Sequence, residues 1–157
     1  MRSQVVSGVV LQKIILLTFV LLLSACHKQP PATIALQDGN ILQPEAWAGK
    51  WVYINYWAEW CGPCKEEIPQ LNQYAANTAD VLVLGVNFDN VRDTKLLAQI
   101  NKFHITFPVV ISDIQTVFKH EVPQQLPATV VINPQGKIVT TLHGPQTVGS
   151  LAQARTM

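Results

Sequence analysis

The 157 residues suit a single domain, and at 48% hydrophobic and 13% charged they are too apolar and too sparsely charged for a disordered chain. Arg2 and Lys13 are the only Lys/Arg before residue 26, so residues 26–157 carry nine Lys/Arg against ten Asp/Glu, a net of −1. That balance lacks the basic stripe of a nucleic-acid binder and gives no electrostatic pull toward acidic lipid.

Arg2 and Lys13 precede an uncharged apolar run, Ile14 to Leu23. Its length suits a signal-peptide core and is too short to span a bilayer unaided. The run ends in Leu23-Ser24-Ala25-Cys26, an aliphatic residue and two small residues before a cysteine. This resembles the bacterial lipoprotein box. The resemblance implies acylation of the Cys26 sulfur and cleavage before it. An ordinary signal peptide or an uncleaved anchor is the competing reading. Lipidation of Cys26 would explain the odd cysteine count and leave two thiols for redox chemistry. The expected organisation is a signal peptide over 1–25, a lipidated tether over 26–33 and a folded domain over 34–157. The tether holds Pro30-Pro31. Its seven residues from His27 reach at most about 25 Å.

Asp38-Gly39 between Ile34/Leu36 and Ile41/Leu42 predicts a β-hairpin, and Gly49-Lys50 breaks the chain after it. Trp51 to Trp57 (WVYINYW) reads as a central strand covered on both faces. After Cys61 the repeat Cys64, Ile68, Leu71, Ala75 predicts a helix, which Pro69 should bend. Val81 to Phe88 is a second buried strand. Leu96, Leu97, Ile100 and Phe103 form another helical stripe, and Pro108 to Ile111 a third strand. Asp113 should cap a short helix to Lys119. Ala128 to Ile132 and Lys137 to Leu142 are two more strands, joined by a type I turn at Asn133-Pro134-Gln135-Gly136. A last helix starts at Thr147. Alternating strands and helices followed by a hairpin predict an α/β fold, a mixed sheet with helices on both faces.

Trp60-Cys61-Gly62-Pro63-Cys64 follows a predicted strand and opens a predicted helix. The two-residue spacer brings both sulfurs within bonding reach. Helix entry places Cys61 near unpaired N–H groups and the positive end of the macrodipole, both of which stabilise a thiolate. Cys61 is therefore expected as the exposed nucleophile, and Cys64, nearly a turn inside, as the buried resolving thiol. A purely structural disulfide would use the same residues. Zinc lacks the further ligands it needs, whereas two thiolates alone can hold Cu(I).

Trp57 to Lys65 resembles the active-site segment of the thioredoxin superfamily. The wider pattern is similar to the TlpA/ResA branch of membrane-tethered thiol–disulfide oxidoreductases. Three features carry that likeness. Asn55 stands where cytoplasmic thioredoxins have a buried Asp. Glu67-Ile68-Pro69-Gln70-Leu71 matches a Glu-x-Pro-x-Leu continuation. Leu126-Pro127-Ala128-Thr129, running on to Asn133 and Gly136, matches a Pro-x-Thr strand and turn. The resemblance covers residues 34–153. It implies a thioredoxin-like fold with a central mixed sheet flanked by helices and an N-terminal hairpin.

It also implies site roles. Leu126-Pro127 would be a cis peptide facing the cysteines, with Leu126 offering its backbone to an extended substrate. The sequence alone leaves cis and trans equally open, and Pro123 is a nearby decoy. Glu67, about one turn after Cys64, would handle the proton of the resolving thiol, with a solvated surface carboxylate as the alternative reading. Glu66 and Glu59 are expected at the surface. Asn55 cannot titrate and is expected to hydrogen-bond near the site. Trp60, Gly62 and Pro63 flank the nucleophile as substrate contacts, and Trp57 belongs to the core. His104 and His120 show no ligand spacing and are expected at the surface or in ordinary packing, and His143 is expected near the end of the last strand with no assigned role.

The function expected is dithiol–disulfide exchange on envelope proteins, without an organic cofactor or a metal. Gly-Pro between the cysteines is the dipeptide of the reducing thioredoxins. A reductase acting on oxidised envelope proteins, apocytochromes c among them, is expected, drawing electrons from a membrane carrier of the DsbD/CcdA type. A disulfide-forming oxidase and a tethered Cu(I) carrier are the alternatives. Pro127 follows Cys64 by only 63 positions, which leaves no room for the helical insertion of DsbA-like oxidases. A monomer is expected, anchored by its lipid. His27 after Cys26 favours the outer membrane of a two-membrane cell.

Overall fold

The computed structural model describes residues 32–157. The signal segment, Cys26 and nearly all of the tether lie outside the described residues. Two short strands, β1 (Ile34–Ala35) and β2 (Ile41–Leu42), pair antiparallel around Asp38-Gly39 as expected. They form a sheet of their own, and Leu36 bridges to Val110 of the main sheet. A 3-10 turn at Pro44–Ala46, which no sequence signal marked, leads to β3 (Trp51–Trp57). Then follow α1 (Gly62–Asn77), β4 (Val81–Asn87), α2 (Asp93–Phe103), β5 (Val109–Val110), α3 (Ile114–Phe118), β6 (Ala128–Ile132), β7 (Ile138–His143) and α4 (Val148–Gln153).

The main sheet has the order β5-β4-β3-β6-β7. β3, β4 and β5 run parallel, while β6 opposes β3 and β7 opposes β6. Six of the seven residues of β3 are buried, as its position at the centre of the sheet requires. Side chains alternate across it. Tyr53 and Trp57 join Cys64, Ile68, Leu71 and Tyr74 of α1, Leu96 and Phe103 of α2, and Leu151 of α4 in one core. Val52, Ile54 and Tyr56 pack with Ile34, Leu36 and Ile114 on the other face. Parallel β3-α1-β4 and β4-α2-β5 units moving the same way along the sheet place α1 and α2 on one side, which fits right-handed crossovers.

Local chemistry sets the element ends. The Asp113 carboxylate accepts from the backbone N–H groups of Gln115 and Thr116, at 3.1 and 3.3 Å, and caps α3. Thr147 and Ser150 form a reciprocal capping box on α4. The Asn133–Gly136 turn closes with Gly136 N–H donating to Asn133 O at 2.8 Å. Pro69 sits inside α1 without ending it. Gly85 of β4 is a packing requirement, because a Cβ there would lie 2.9 Å from Phe107 Cε2. The α2 stripe differs from expectation. Leu97 is exposed, and the buried face is Leu96, Gln99 and Phe103. Gln99 lies one turn from Leu96, and its amide is satisfied by Asn87 and Glu59, so a polar residue fills an apolar-facing position.

Candidate active site

The chain leaves β3 at Trp57 and enters α1 through Cys61, which occupies the N-cap with extended backbone. Cys61 Sγ accepts the N–H of Cys64 at 3.2 Å. It thus takes the place a Ser or Asp side chain has in an ordinary cap. The two cysteines form a disulfide with their Cα atoms 5.3 Å apart. In this oxidised state the expected exposed nucleophile is nearly covered. Cys61 is 3% exposed and Cys64 fully buried. The cap bond and the bond to a core cysteine both turn the Cys61 sulfur inward. The order of exposure matches the expected one, but the difference is small. Gly62 and Pro63 are exposed beside the pair, and Trp60 is 66% exposed. Trp60 Nε1 donates to Asp89 Oδ2 at 2.9 Å, which holds the indole against the turn after β4. Glu59 is exposed and pairs with Lys102 at 2.8 Å.

Glu67 is not a surface carboxylate. It is 1% exposed on the inner side of α1, whereas neighbouring Glu66 is exposed. Its Oε1 accepts from Asn55 Nδ2 at 2.6 Å, and its Oε2 from the backbone N–H of Gln146 at 2.9 Å. Burial pushes the carboxyl up to about 7, against the opposing pull of these two donors. Asn55 Nδ2 also donates to Thr129 Oγ1 at 3.0 Å, which joins β3, β6 and α1 in one buried polar cluster. Asn55 Oδ1 has no hydrogen-bond partner among the described residues.

Leu126-Pro127 is a cis peptide, as the resemblance implied, and Pro123 is not. Tyr56 lies opposite Ala128 in the β3–β6 register, so Pro127 comes level with Trp57 at the carboxyl end of β3. This is the end from which the chain runs to Cys61. Leu126 packs against the core that holds both cysteines. The fold therefore gathers Cys61, Cys64, Asn55, Glu67, Leu126 and Pro127 at one end of the sheet.

Three participants carried little or no signal. Thr129 was visible only as part of Pro-x-Thr. Gln146 enters through its backbone from a loop 79 residues away from Glu67. His120, expected to be unremarkable, is half-buried with its Nε2 2.7 Å from Tyr56 Oη. His143 is exposed at the end of β7, and His104 closes α2 in a left-handed conformation.

Comparison with known proteins follows the same lines. The profile described as the AhpC/TSA family matches residues 26–141. The thiol-disulfide oxidoreductase ResA of Bacillus subtilis is 36% identical over 115 residues, covering 70% of this chain and 62% of ResA. The chain thus spans less than two thirds of that relative. The crystal structure of StoA from Bacillus subtilis superposes with a TM-score of 0.61 at 24% identity, covering 80% of this chain and 97% of StoA. A secreted Mycobacterium tuberculosis disulfide oxidoreductase homologous to E. coli DsbE gives a TM-score of 0.61 at 21% identity, over 80% and 95% of the two chains. Both superpositions identify the fold as thioredoxin-like. The profile match covers well over half the sequence, and this chain belongs to the AhpC/TSA family as a thioredoxin-like member related to ResA.

Proposed function

We propose that the chain is a thiol–disulfide oxidoreductase acting on protein substrates, with Cys61 and Cys64 as its redox pair. One observation carries the reading. A cysteine pair caps the head of α1 with a sealed carboxyl, poised near neutral pH, about one turn beyond it. Proton-handling groups at active sites are shifted toward working pH by burial of this kind, and a purely structural disulfide does not call for one beside it. In the reducing direction the Cys61 thiolate attacks one sulfur of a substrate disulfide. A mixed disulfide forms, and one substrate thiolate leaves and takes up a proton. Cys64 then gives its proton to the Glu67 carboxylate and attacks Cys61 Sγ. The second substrate sulfur departs as a thiolate and takes up a proton, and the Cys61–Cys64 disulfide is left behind. Two electrons pass to the substrate, and no organic cofactor takes part. Asn55 and the Gln146 N–H hold the carboxylate that receives the proton. Trp60, Gly62, Pro63 and Leu126 frame the surface that meets the substrate.

Reduction is the direction favoured by the Gly-Pro spacer, since thioredoxin works near −270 mV and the strong oxidant DsbA near −120 mV. The pair would be recharged by a membrane thiol carrier of the DsbD/CcdA type, and oxidised envelope proteins such as apocytochromes c are its proposed substrates. Cys26 is the proposed lipid attachment point and would hold the domain on the periplasmic side of the envelope, at the outer membrane in a two-membrane cell.

The test is trapping with Cys64→Ser in cells that express the full chain. Envelope proteins should accumulate in mixed disulfides with Cys61, released by dithiothreitol and absent from Cys61→Ser/Cys64→Ser. A folded Cys64→Ser protein with no such adducts overturns the reading.

A further inference from the structure

The segment Glu121–Leu126, which leads into Pro127, is tied down mostly by packing. Pro123 is buried and Leu126 packs against both cores. Its side-chain hydrogen bond is internal, from Gln124 Nε2 to Val122 O at 3.2 Å. The polar tie to the sheet comes just before it. His120 Nε2 lies 2.7 Å from Tyr56 Oη, with the two rings edge to face and their centroids 5.9 Å apart. Tyr56 is buried, and its backbone faces Ala128, the residue after Pro127. One phenol therefore joins the front of this segment to the strand pair that carries its far end.

The hydrogen-bond directions can be assigned from the network. Gln115 Nε2 donates to Tyr56 Oη at 3.4 Å. The phenol proton is then directed at His120 Nε2, and the imidazole keeps its own proton on Nδ1. That Nδ1 is buried without a partner among the described residues. A phenylalanine would fill the same space and orphan no nitrogen, so packing alone gives no reason for a histidine. The hydrogen bond to Tyr56 gives one.

We propose that His120 is a positioning residue for substrate binding, fixing Glu121–Leu126 through Tyr56 so that Leu126 meets an oxidised polypeptide in register beside the cysteines. The proposal rests on the oxidoreductase reading and adds a determinant of protein-substrate affinity that lies on the opposite face of β3 from the thiols and Glu67. It carries a pH dependence. The groups around the imidazole are Tyr56 from β3, Asp113 at the N-cap of α3 and Gln115 in its first turn, with Lys119 and Glu121 flanking it in the chain. Burial holds the imidazole below its ordinary value and outweighs the Asp113 carboxylate. It is therefore neutral at pH 7. Acid places a proton on Nε2, which then donates to the second lone pair of the phenol oxygen, so the contact reverses direction and the phenol proton loses its acceptor.

The test uses the full chain, kept turning over by excess dithiothreitol as the two-electron donor with its uncatalysed rate subtracted, with insulin as the oxidised protein substrate and glutathione disulfide as the small one. His120→Phe and Tyr56→Phe should each raise KM for insulin about three- to tenfold, the range one hydrogen bond spans. Both kcat and the rate with glutathione disulfide should stay within about twofold of wild type. The double variant should be no worse than either single one, as for two residues sharing one interaction. His120→Gln, which can still reach the phenol, should restore KM. Acidification should narrow the ratio of the His120→Phe and wild-type KM values, a readout in which the shared titration of Cys61 and Glu67 cancels. Tyr56→Phe loses a single oxygen and keeps the test alive should His120→Phe fail to fold. Unchanged KM in the folded variants overturns the proposal, and so do equal losses on both substrates. Failure of the wild type on both substrates refutes the oxidoreductase reading itself, and the proposal falls with it.

Discussion

Replacing Glu67 by glutamine isolates the proton that the site holds. In the folded protein this carboxyl is 1% exposed and titrates near 7, against 4.5 for an unperturbed glutamate. Between those two values the native state keeps a proton that the unfolded chain has released. Linkage then fixes the sign. Stability from this group is fully present below the unfolded value, declines as pH rises toward 7, and is level above it. A salt-bridged carboxylate behaves the opposite way. A rise from 4.5 to about 7, at about 1.4 kcal/mol per pH unit, corresponds to about 3 kcal/mol lost across the window. Glutamine keeps an oxygen for the Gln146 N–H. Its amide can donate to Asn55 once the Asn55 side chain turns its unpartnered Oδ1 inward. The assay is urea unfolding of the oxidised wild type and Glu67→Gln at intervals from pH 4 to 8.5. His120 and the surface carboxylates titrate in both proteins, so they cancel in the difference. The advantage of the wild type should shrink by about 3 kcal/mol between pH 4.5 and 7.5. A difference that stays constant within about 0.5 kcal/mol would refute the claim that burial raises this carboxyl.

Two further substitutions test the packing around the site. Gly85→Ala would push a methyl group to 2.9 Å from Phe107 Cε2 and 3.3 Å from Val109 Cγ2, both in the core, so overpacking should cost about 1–3 kcal/mol and lower Tm in thermal unfolding. An unchanged Tm would mean that β5 yields freely. Thr147→Ala removes the side-chain half of the α4 capping box and should cost about 1 kcal/mol in urea unfolding, while insulin reduction stays at the wild-type rate. Loss of reduction with stability intact would instead tie the Gln146–Thr147 turn directly to the exchange steps.

Period and punctuation made most of the fold legible. WVYINYW announced a central strand, Asp113 and Thr147 announced their caps, and Asn133 to Gly136 announced a turn. Each is a local signal whose cause lies within a few residues. The errors fell where tertiary partners decide. Leu97 fits the apolar stripe of α2 as well as Leu96 does, yet Gln99 is buried instead because Asn87 and Glu59 satisfy its amide. Glu67 presents the same difficulty. Spacing from Cys64 suggested a role, but burial follows from Asn55 on β3 and from a backbone N–H that arrives with the loop before α4. His120 carries no spacing signal at all. Its partner, Tyr56, lies 64 residues back on a strand where every neighbour is apolar or aromatic except Asn55.

That one polar exception organises the site. Asn55 points to the same face of β3 as Tyr53 and Trp57, toward α1. An amide buried under a helix must find partners or cost the fold its desolvation. In register its neighbours are Gly85 on β4, which has no side chain to offer, and Thr129 on β6, whose hydroxyl accepts. The second Nδ2 proton has to find its acceptor on the helix above, and the residue that reaches it is Glu67, while Oδ1 stays without a partner among the described residues. A carboxyl placed there to satisfy an amide is also sealed from water and lies about one turn beyond Cys64. The requirement that fixes α1 on β3 is thus the one that raises the proton affinity of Glu67. An apolar residue at 55 would remove the Nδ2 donor from Oε1 and push that affinity higher still, which couples the packing of the central strand to the proton chemistry beside the cysteines.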